Sequence, residues 1–230
     1  METAASTPSE RIVVHPPIVR ITHWINVIAM FIMIGSGWRI YNDSPLFQGY
    51  FFPYQISLGG DPGTSYVKWQ DGGAGGALQW HFAGMWLLVL NGLTYVSYGL
   101  LSGRFRSKLL PVAVSGIRRD LTDALRFRLA HEVGVYNHVQ RILYIGVLLL
   151  GVLIVASGLA IWKPVQFQTL AALFYDFQTA RWVHFWSMAG IVLFILVHVT
   201  LAILVPSTLL SMITGWAPRG HHSKASEKPE

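Results

Sequence analysis

Four apolar stretches dominate the chain, separated by polar or glycine-rich connectors. Crossing a bilayer takes roughly 20 mainly apolar residues of helix. The pattern predicts spans at about residues 21–40, 80–100, 139–162 and 182–205, with Pro206 ending the last. Trp24, Trp38, Trp80, Trp162 and Trp182 fall near the span ends, the depth at which an amphipathic ring meets lipid headgroups. Alternating ten-residue segments are absent, which argues against an outer-membrane barrel. The predicted class is all-α: an integral membrane four-helix bundle over 18–215, with tails at 1–17 and 216–230.

Composition supports this reading. Of the 230 residues, 53% are hydrophobic and only 12% charged, and mean hydropathy is +0.45. A soluble domain carries about twice that charged fraction. The absence of cysteine removes disulfides, iron–sulfur clusters, thiolate zinc sites and covalently attached haem. The opening METAASTPSERIVVHPPIVR lacks a basic segment followed by a short apolar core and a small-residue cleavage site. The first span is therefore expected to act as an uncleaved insertion signal.

Basic residues set the expected orientation. The segment 101–137 holds Arg104, Arg106, Lys108, Arg118, Arg119, Arg126 and Arg128, whereas 41–79 and 163–180 hold only Lys68 and Lys163. The positive-inside rule puts 101–137 and both termini in the cytoplasm. The net charge of +6 is thereby a topology signal, and no nucleic-acid partner is expected. The outer segment 41–79 is long and turn-rich, with SLGGDPG at 57–63 and DGGAGG at 71–76. Loops of that length tend to be functional or mobile. Phe167, Leu170, Leu173, Phe174 and Phe177 recur at helical spacing and predict a short helix on the outer surface. GIRRDLTDALRFRL, at 116–129, predicts a similar one on the inner surface. Each suits a solvated connector as well as a partner-binding face.

Four histidines lie within or just inside the spans: His23, His81, His184 and His198. Ionisable side chains are costly in a bilayer and face the bundle interior. By depth, His81 pairs with His184 near the outer face and His23 with His198 near the inner one. His184 and His198 are fourteen residues apart on one helix. That spacing falls about 40° short of four turns and separates them by about 21 Å on nearly one face. Two imidazoles with no other protein ligand suit a haem iron, whose porphyrin supplies the remaining four nitrogens. Zinc wants three or four protein ligands, and a proton pathway usually adds carboxylates. The predicted spans contain neither Asp nor Glu. Polar contact between helices explains a single intramembrane histidine well, and two depth-matched pairs poorly.

Other residues are more ambiguous. Gly35, Gly37, Gly92, Gly151 and Gly158 would admit a flat macrocycle or close helix packing. Arg20, Arg39, Arg141 and Arg181 flank the spans, where a guanidinium pairs with a haem propionate or anchors to headgroups. Taken singly, each reads first as an anchor. His15, His131, His221 and His222 read as solvated. His138 opens the third span beside Asn137, Gln140, Arg141 and Tyr144, a polar helix start that could also hold a quinone carbonyl. QWHF and RWVHF, at the starts of the second and fourth spans, form a weak internal echo.

The stretches RITHWINVIAMFIMIGSGWRIY, QWHFAGMWLLVLNGLTYV, YNHVQRILYIGVLLLGVLIVASGLAIW and RWVHFWSMAGIVLFILVHVTLAILVPSTLLSMITG resemble the prokaryotic cytochrome b561 family. More closely, they resemble the cytochrome b subunits of nickel–iron hydrogenase, formate dehydrogenase and thiosulfate reductase. The resemblance covers about residues 18–215. It implies two b haems, with His81 and His184 as ligands of the outer iron and His23 and His198 of the inner. It also implies a bacterial inner-membrane protein that passes electrons between a periplasmic redox subunit and the quinone pool. A molybdopterin enzyme is favoured over a hydrogenase as that partner. Family members often have Pro where this chain has His138, which weakens a quinone role there. Some small relatives instead oxidise superoxide and reduce quinone alone, and a haem-free scaffold or transporter is the reading from another class.

One residue inserted between His184 and His198 would turn them apart by about 100°. The expected outcome is loss of at least one haem from the purified protein, read as the haem-to-protein ratio. An unchanged ratio would contradict the shared-face geometry.

Overall fold

The computed structural model describes residues 11–59, 76–110, 116–117, 120, 122 and 138–218. Four long helices match the predicted spans: α1 (Pro17–Asp43), α2 (Ala77–Leu101), α4 (His138–Trp162) and α6 (Phe177–Leu204). All four are long and apolar enough to cross a membrane. Between and after them lie the short helices α3 (Arg104–Leu109), α5 (Gln168–Leu173) and α7 (Pro206–Thr214). The spans α1, α2 and α6 overrun the hydropathy windows by a few residues. Apolar length marks the part in hydrocarbon, whereas the helix continues past it with Asn42 and Asp43.

Local chemistry sets the ends. Pro17 opens α1, where a missing N–H costs nothing. The Asp176 carboxylate caps α6 by accepting from the Thr179 backbone N–H at 2.6 Å. That hydrogen bond holds the Asp176 carboxyl below its ordinary range. Gly215, at φ 88°, ends α7 in the left-handed region open to glycine.

The interior is small and polar, and the outside is apolar. The fully buried side chains include Ser36, Ser157, Ser187, Thr22 and Arg39, whereas Phe31, Leu149, Val152, Leu193 and Ile203 are exposed. Among lipid tails the hydrophobic effect does not drive helices together, so small residues and interhelical hydrogen bonds take over. Asn91 on α2 shows this. Its amide donates to the Thr22 carbonyl at 2.8 Å and to Asn26 Oδ1 at 2.6 Å, both on α1.

The spans pack as two pairs, α1 along α2 and α4 along α6. Among the described residues, no comparable backbone packing joins one pair to the other. Aromatic side chains bridge them at one end: Tyr41 with Phe185 (ring centres 5.4 Å apart), Phe47 with Trp182 (5.0 Å) and Phe82 with Trp162 (4.9 Å). Arg181 at the start of α6 also donates to the Ser44 carbonyl just past α1.

At the opposite end, β1 (Arg11–Val13) and β2 (Trp216–Pro218) form an antiparallel ladder with Ile12 opposite Ala217. The Val14 N–H donates to the Gly215 carbonyl at 2.9 Å, and Arg20 donates to the Ile213 carbonyl. The all-helical expectation is thus met in the spans and amended outside them, since both strands fall in the segments assigned to tails. A three-residue strand carries too little periodicity to announce itself. The ladder also places both ends of the described chain at the same end of the bundle. Helix α5 is shorter than the predicted surface helix. The chain turns at Tyr175, whose φ of 68° is unusual for a non-glycine residue. Most of the expected inner helix at 116–129 lies outside the described residues.

Gly84 lets α1 close on α2. A Cβ there would stand 2.8 Å from Ile32 Cγ2 and 3.0 Å from Met33 Sδ, whereas one at Gly92 would meet nothing within 4 Å. Gly84→Leu is expected to destabilise the detergent-solubilised protein by about 1–3 kcal/mol, as overpacking does. Gly92→Leu should leave it near wild type. Equal melting temperatures for the two variants would refute this packing account.

Candidate functional site

Two pairs of facing imidazoles connect the helix pairs. His23 on α1 meets His198 on α6, with ring centres 6.1 Å apart and planes at 64°. His81 on α2 meets His184 on α6 at 6.3 Å and 64°. The first pair lies toward the end carrying the β1–β2 ladder, and the second toward the opposite end. Helix rise puts the two α6 histidines about 21 Å apart.

The spacing suits a shared metal. A first-row metal bonds an imidazole nitrogen at about 2 Å. Two such bonds in line leave about 6 Å between ring centres. That is too far for a direct hydrogen bond between the rings. The tautomer of His184 also fits. Its Nδ1 lies 3.0 Å from the Ile154 carbonyl, which can only accept, so Nδ1 carries the proton. Nε2 is left with its lone pair for a metal. Among the described residues, no cluster of three or more His, Cys, Asp or Glu could hold a bare ion. A centre whose other ligands come from a macrocycle matches this donor set, two neutral nitrogens from opposite sides.

The remaining sequence-nominated residues divide. Arg39 is buried, with Nη1 on Asp43 Oδ1 at 2.5 Å and its guanidinium carbon 5.6 Å from the Tyr54 ring centre. Its charge is thus engaged within its own end of the bundle. Arg20 ties α1 to α7, yet its Nε is buried with no partner among the described residues, as is Nδ1 of His15. His15 is therefore not the solvated residue expected from sequence. The antiparallel ladder folds it inward, and burial pushes its pKa down to about 4, helped by the charges of Arg104, His23, Lys108 and Arg20. Lys108 is lowered too, by burial and then by Arg104 and Arg141. Cationic groups thus gather at the end of the bundle near His23.

His138 starts α4 as a capped residue. Asp120 Oδ2 accepts from its backbone N–H at 2.7 Å and lies 3.1 Å from its ring Nδ1. Tyr144 sits about one and two-thirds turns further along α4. Its ring centre is 6.4 Å from that of Phe194, which stacks on His198 at 5.6 Å. Gln140 and Arg141 belong to the same stretch of α4, and Asn137 lies outside the described residues. Of the glycines, Gly35 packs on the Leu58 backbone and side chain, and Cβ atoms at Gly92 and Gly151 would meet nothing within 4 Å. Sequence reasoning missed Asn26 and Asn91. Their only signal was an amide within each of two apolar spans.

Four membrane-length helices with imidazoles facing across two helix pairs make the framework of a membrane-embedded b-type cytochrome. The family model for prokaryotic cytochrome b561 matches residues 14–215. The chain belongs to that family. It is accordingly a multi-pass protein of the bacterial inner membrane that binds haem b and transfers electrons. It is also similar to the putative protein-methionine-sulfoxide reductase subunit YedZ1 of Azospira oryzae, 45% identical over 203 residues, or 88% of this chain and 96% of the relative.

The lowered pKa of His15 implies a pH dependence. The folded state disfavours the proton that the unfolded chain binds with a pKa of about 6.5. The stability His15 contributes is full above that value and declines as pH falls towards about 4. Wild type should lose thermal stability across that window faster than His15→Asn. Parallel pH profiles of melting temperature for the two proteins would contradict it.

Proposed function

We propose that the chain holds two b haems, one between His81 and His184 and one between His23 and His198. It would pass electrons from the quinone pool to a periplasmic reductase. The observation that carries this reading is the pair of facing imidazoles repeated at two depths. A haem supplies reversible one-electron chemistry when bound. The chain's own part is to present two imidazole nitrogen lone pairs per site, to fix the spacing through α6, and to wall the sites from water.

The residues around the His23–His198 pair fit the rest of the task. Arg20 and Arg141, at the end of the bundle near His23, would neutralise propionates. Asn137, Gln140, Arg141 and Tyr144 supply polar groups for a quinone carbonyl on the cytoplasmic side. The charge asymmetry of the sequence assigns that side to both termini. On the opposite side, exposed Tyr50, Phe51 and Ile56 offer an apolar face beside the His81–His184 pair. A periplasmic subunit is expected to dock there.

The name of the Azospira oryzae relative suggests what such a subunit does. Reducing a methionine sulfoxide takes two electrons and two protons and releases the thioether and water. Electrons would then run from quinol outward to the partner, read here as a molybdopterin enzyme. A hydrogenase partner would drive them the other way.

His23→Ala, His81→Ala, His184→Ala and His198→Ala should each lower the haem-to-protein ratio from two to one. His81→Ala and His184→Ala should remove the same component of a redox titration, and His23→Ala and His198→Ala the other. A purified chain with no reduced-minus-oxidised b-haem spectrum would overturn the reading. A quinol that fails to reduce the purified holoprotein would overturn the quinone assignment alone.

A further inference from the structure

We infer that Ser36–Gly37 on α1 and Ser157–Gly158 on α4 are a matched pair of imidazole holders. They fix His81 and His184 and make this pair electronically unlike His23 and His198. The inference rests on the proposed ligand role of His81 and His184.

The two holders repeat each other in detail. Ser36 Oγ stands 3.0 Å from His81 Nδ1, and Ser157 Oγ stands 3.1 Å from His184 Nδ1. Each serine donates its own proton back along its helix. Ser36 gives it to the Ile32 carbonyl at 2.6 Å and Ser157 to the Leu153 carbonyl at 2.8 Å. A hydroxyl whose proton is committed can only accept from the ring. Nδ1–H is therefore the donor in both contacts. For His184 the carbonyl three residues before the serine, Ile154, joins in at 3.0 Å. The glycine after each serine lets the ring lie against the helix. A Cβ at Gly158 would stand 3.2 Å from His184 Cε1, and one at Gly37 would stand 3.5 Å from His81 Cε1.

Close helix packing alone would account for the glycines. It would not aim two fully buried hydroxyls at the same nitrogen of two imidazoles on different helices. In sequence, the holders are MIGSG at 33–37 and IVASG at 154–158. The other pair lacks them. His23 stands edge-on to Trp24 at 5.3 Å, and His198 stacks on Phe194. Among the described residues, neither has a hydroxyl or carbonyl set against its ring nitrogens.

A hydrogen bond from the distal N–H fixes an imidazole's tautomer and plane and makes it a more basic ligand. A more basic ligand favours the oxidised metal. Ser36 and Ser157 are thus positioning residues that lower the potential at the His81–His184 pair only.

The test is a redox titration of purified holoprotein, monitored in the b-haem band, with low-temperature electron spin resonance of the oxidised form. Variants are Ser36→Ala, Ser157→Ala, the double variant, and Ser157→Thr, which keeps a hydroxyl. The expected result is wild-type haem content with one of the two components shifted to higher potential. The double variant should shift further, and Ser157→Thr should remain near wild type. Gly158→Ala should perturb the same component more than Gly37→Ala, given the shorter contact. Loss of that one component in Ser157→Ala, with retention in Ser157→Thr, also supports the inference. Unmoved potentials, or equal shifts in both components, overturn it. The histidine variants separate the two failures. If His81→Ala and His184→Ala keep both haems, the ligand reading has failed. If each removes one haem while the serine variants leave the potentials unmoved, only this inference has failed.

Discussion

An imidazole in hydrocarbon needs a partner for each ring nitrogen, because an unsatisfied polar group there costs several kcal/mol. Four such rings are held in the spans of this chain, and much of the structure follows from where their nitrogens go. For His81 and His184, Nδ1 is tied back to the neighbouring helix of the same pair. The far nitrogen is left to look across to the other pair. That is why α1 with α2, and α4 with α6, are the closely packed units. Each packs tightly enough to hold its imidazole, and the pairs stay far enough apart for the rings to face at 6.1 and 6.3 Å.

The same constraint explains the inverted composition of the bundle. Serine, threonine and asparagine are placed inside, where they bond to carbonyls or rings, while leucine and phenylalanine cover the outside. In water this would be a poor core. In lipid it is the arrangement that gives helices a reason to associate. Connections at the two ends then set the separation of the pairs. Arg181 on Ser44 and the aromatic contacts hold one end. The β1–β2 ladder and the Arg20–Ile213 contact hold the other.

Much of this was legible in the sequence, because hydropathy and helical pitch are long-range periodic signals. The four spans and the depth of each histidine could be read from residue spacing alone. Contacts that depend on which face meets which neighbour could not. His15 looked like a tail residue until the ladder folded it inward. His138 read first as a polar helix start, which it is, but its cap, Asp120, stands eighteen residues earlier in sequence. Gly37 and Gly158 were visible as small residues, but not as surfaces for an imidazole. The serine beside each, at the same place in MIGSG and IVASG, was the available clue. It was hidden because serine inside a span usually reads as helix packing.

That repeat bears on how the two histidine pairs differ. QWHF and RWVHF alone could be coincidence, since aromatic residues crowd span ends in any membrane protein. Each echoing histidine, however, is held by the serine and glycine of its own partner helix, with matching atoms at matching distances. The His81–His184 site is thus built from two similar halves, α1 with α2 and α4 with α6. The His23–His198 site is not. It draws one ring from α1 and one from α6, and its surroundings are aromatic and cationic rather than hydroxylic. Two sites made from the same ligand type need not have the same potential, because the shell around the ligand tunes the metal. If the two histidine pairs each hold a haem as proposed, the residues behind them, serine and glycine at one and aromatic rings at the other, would make the two sites distinguishable.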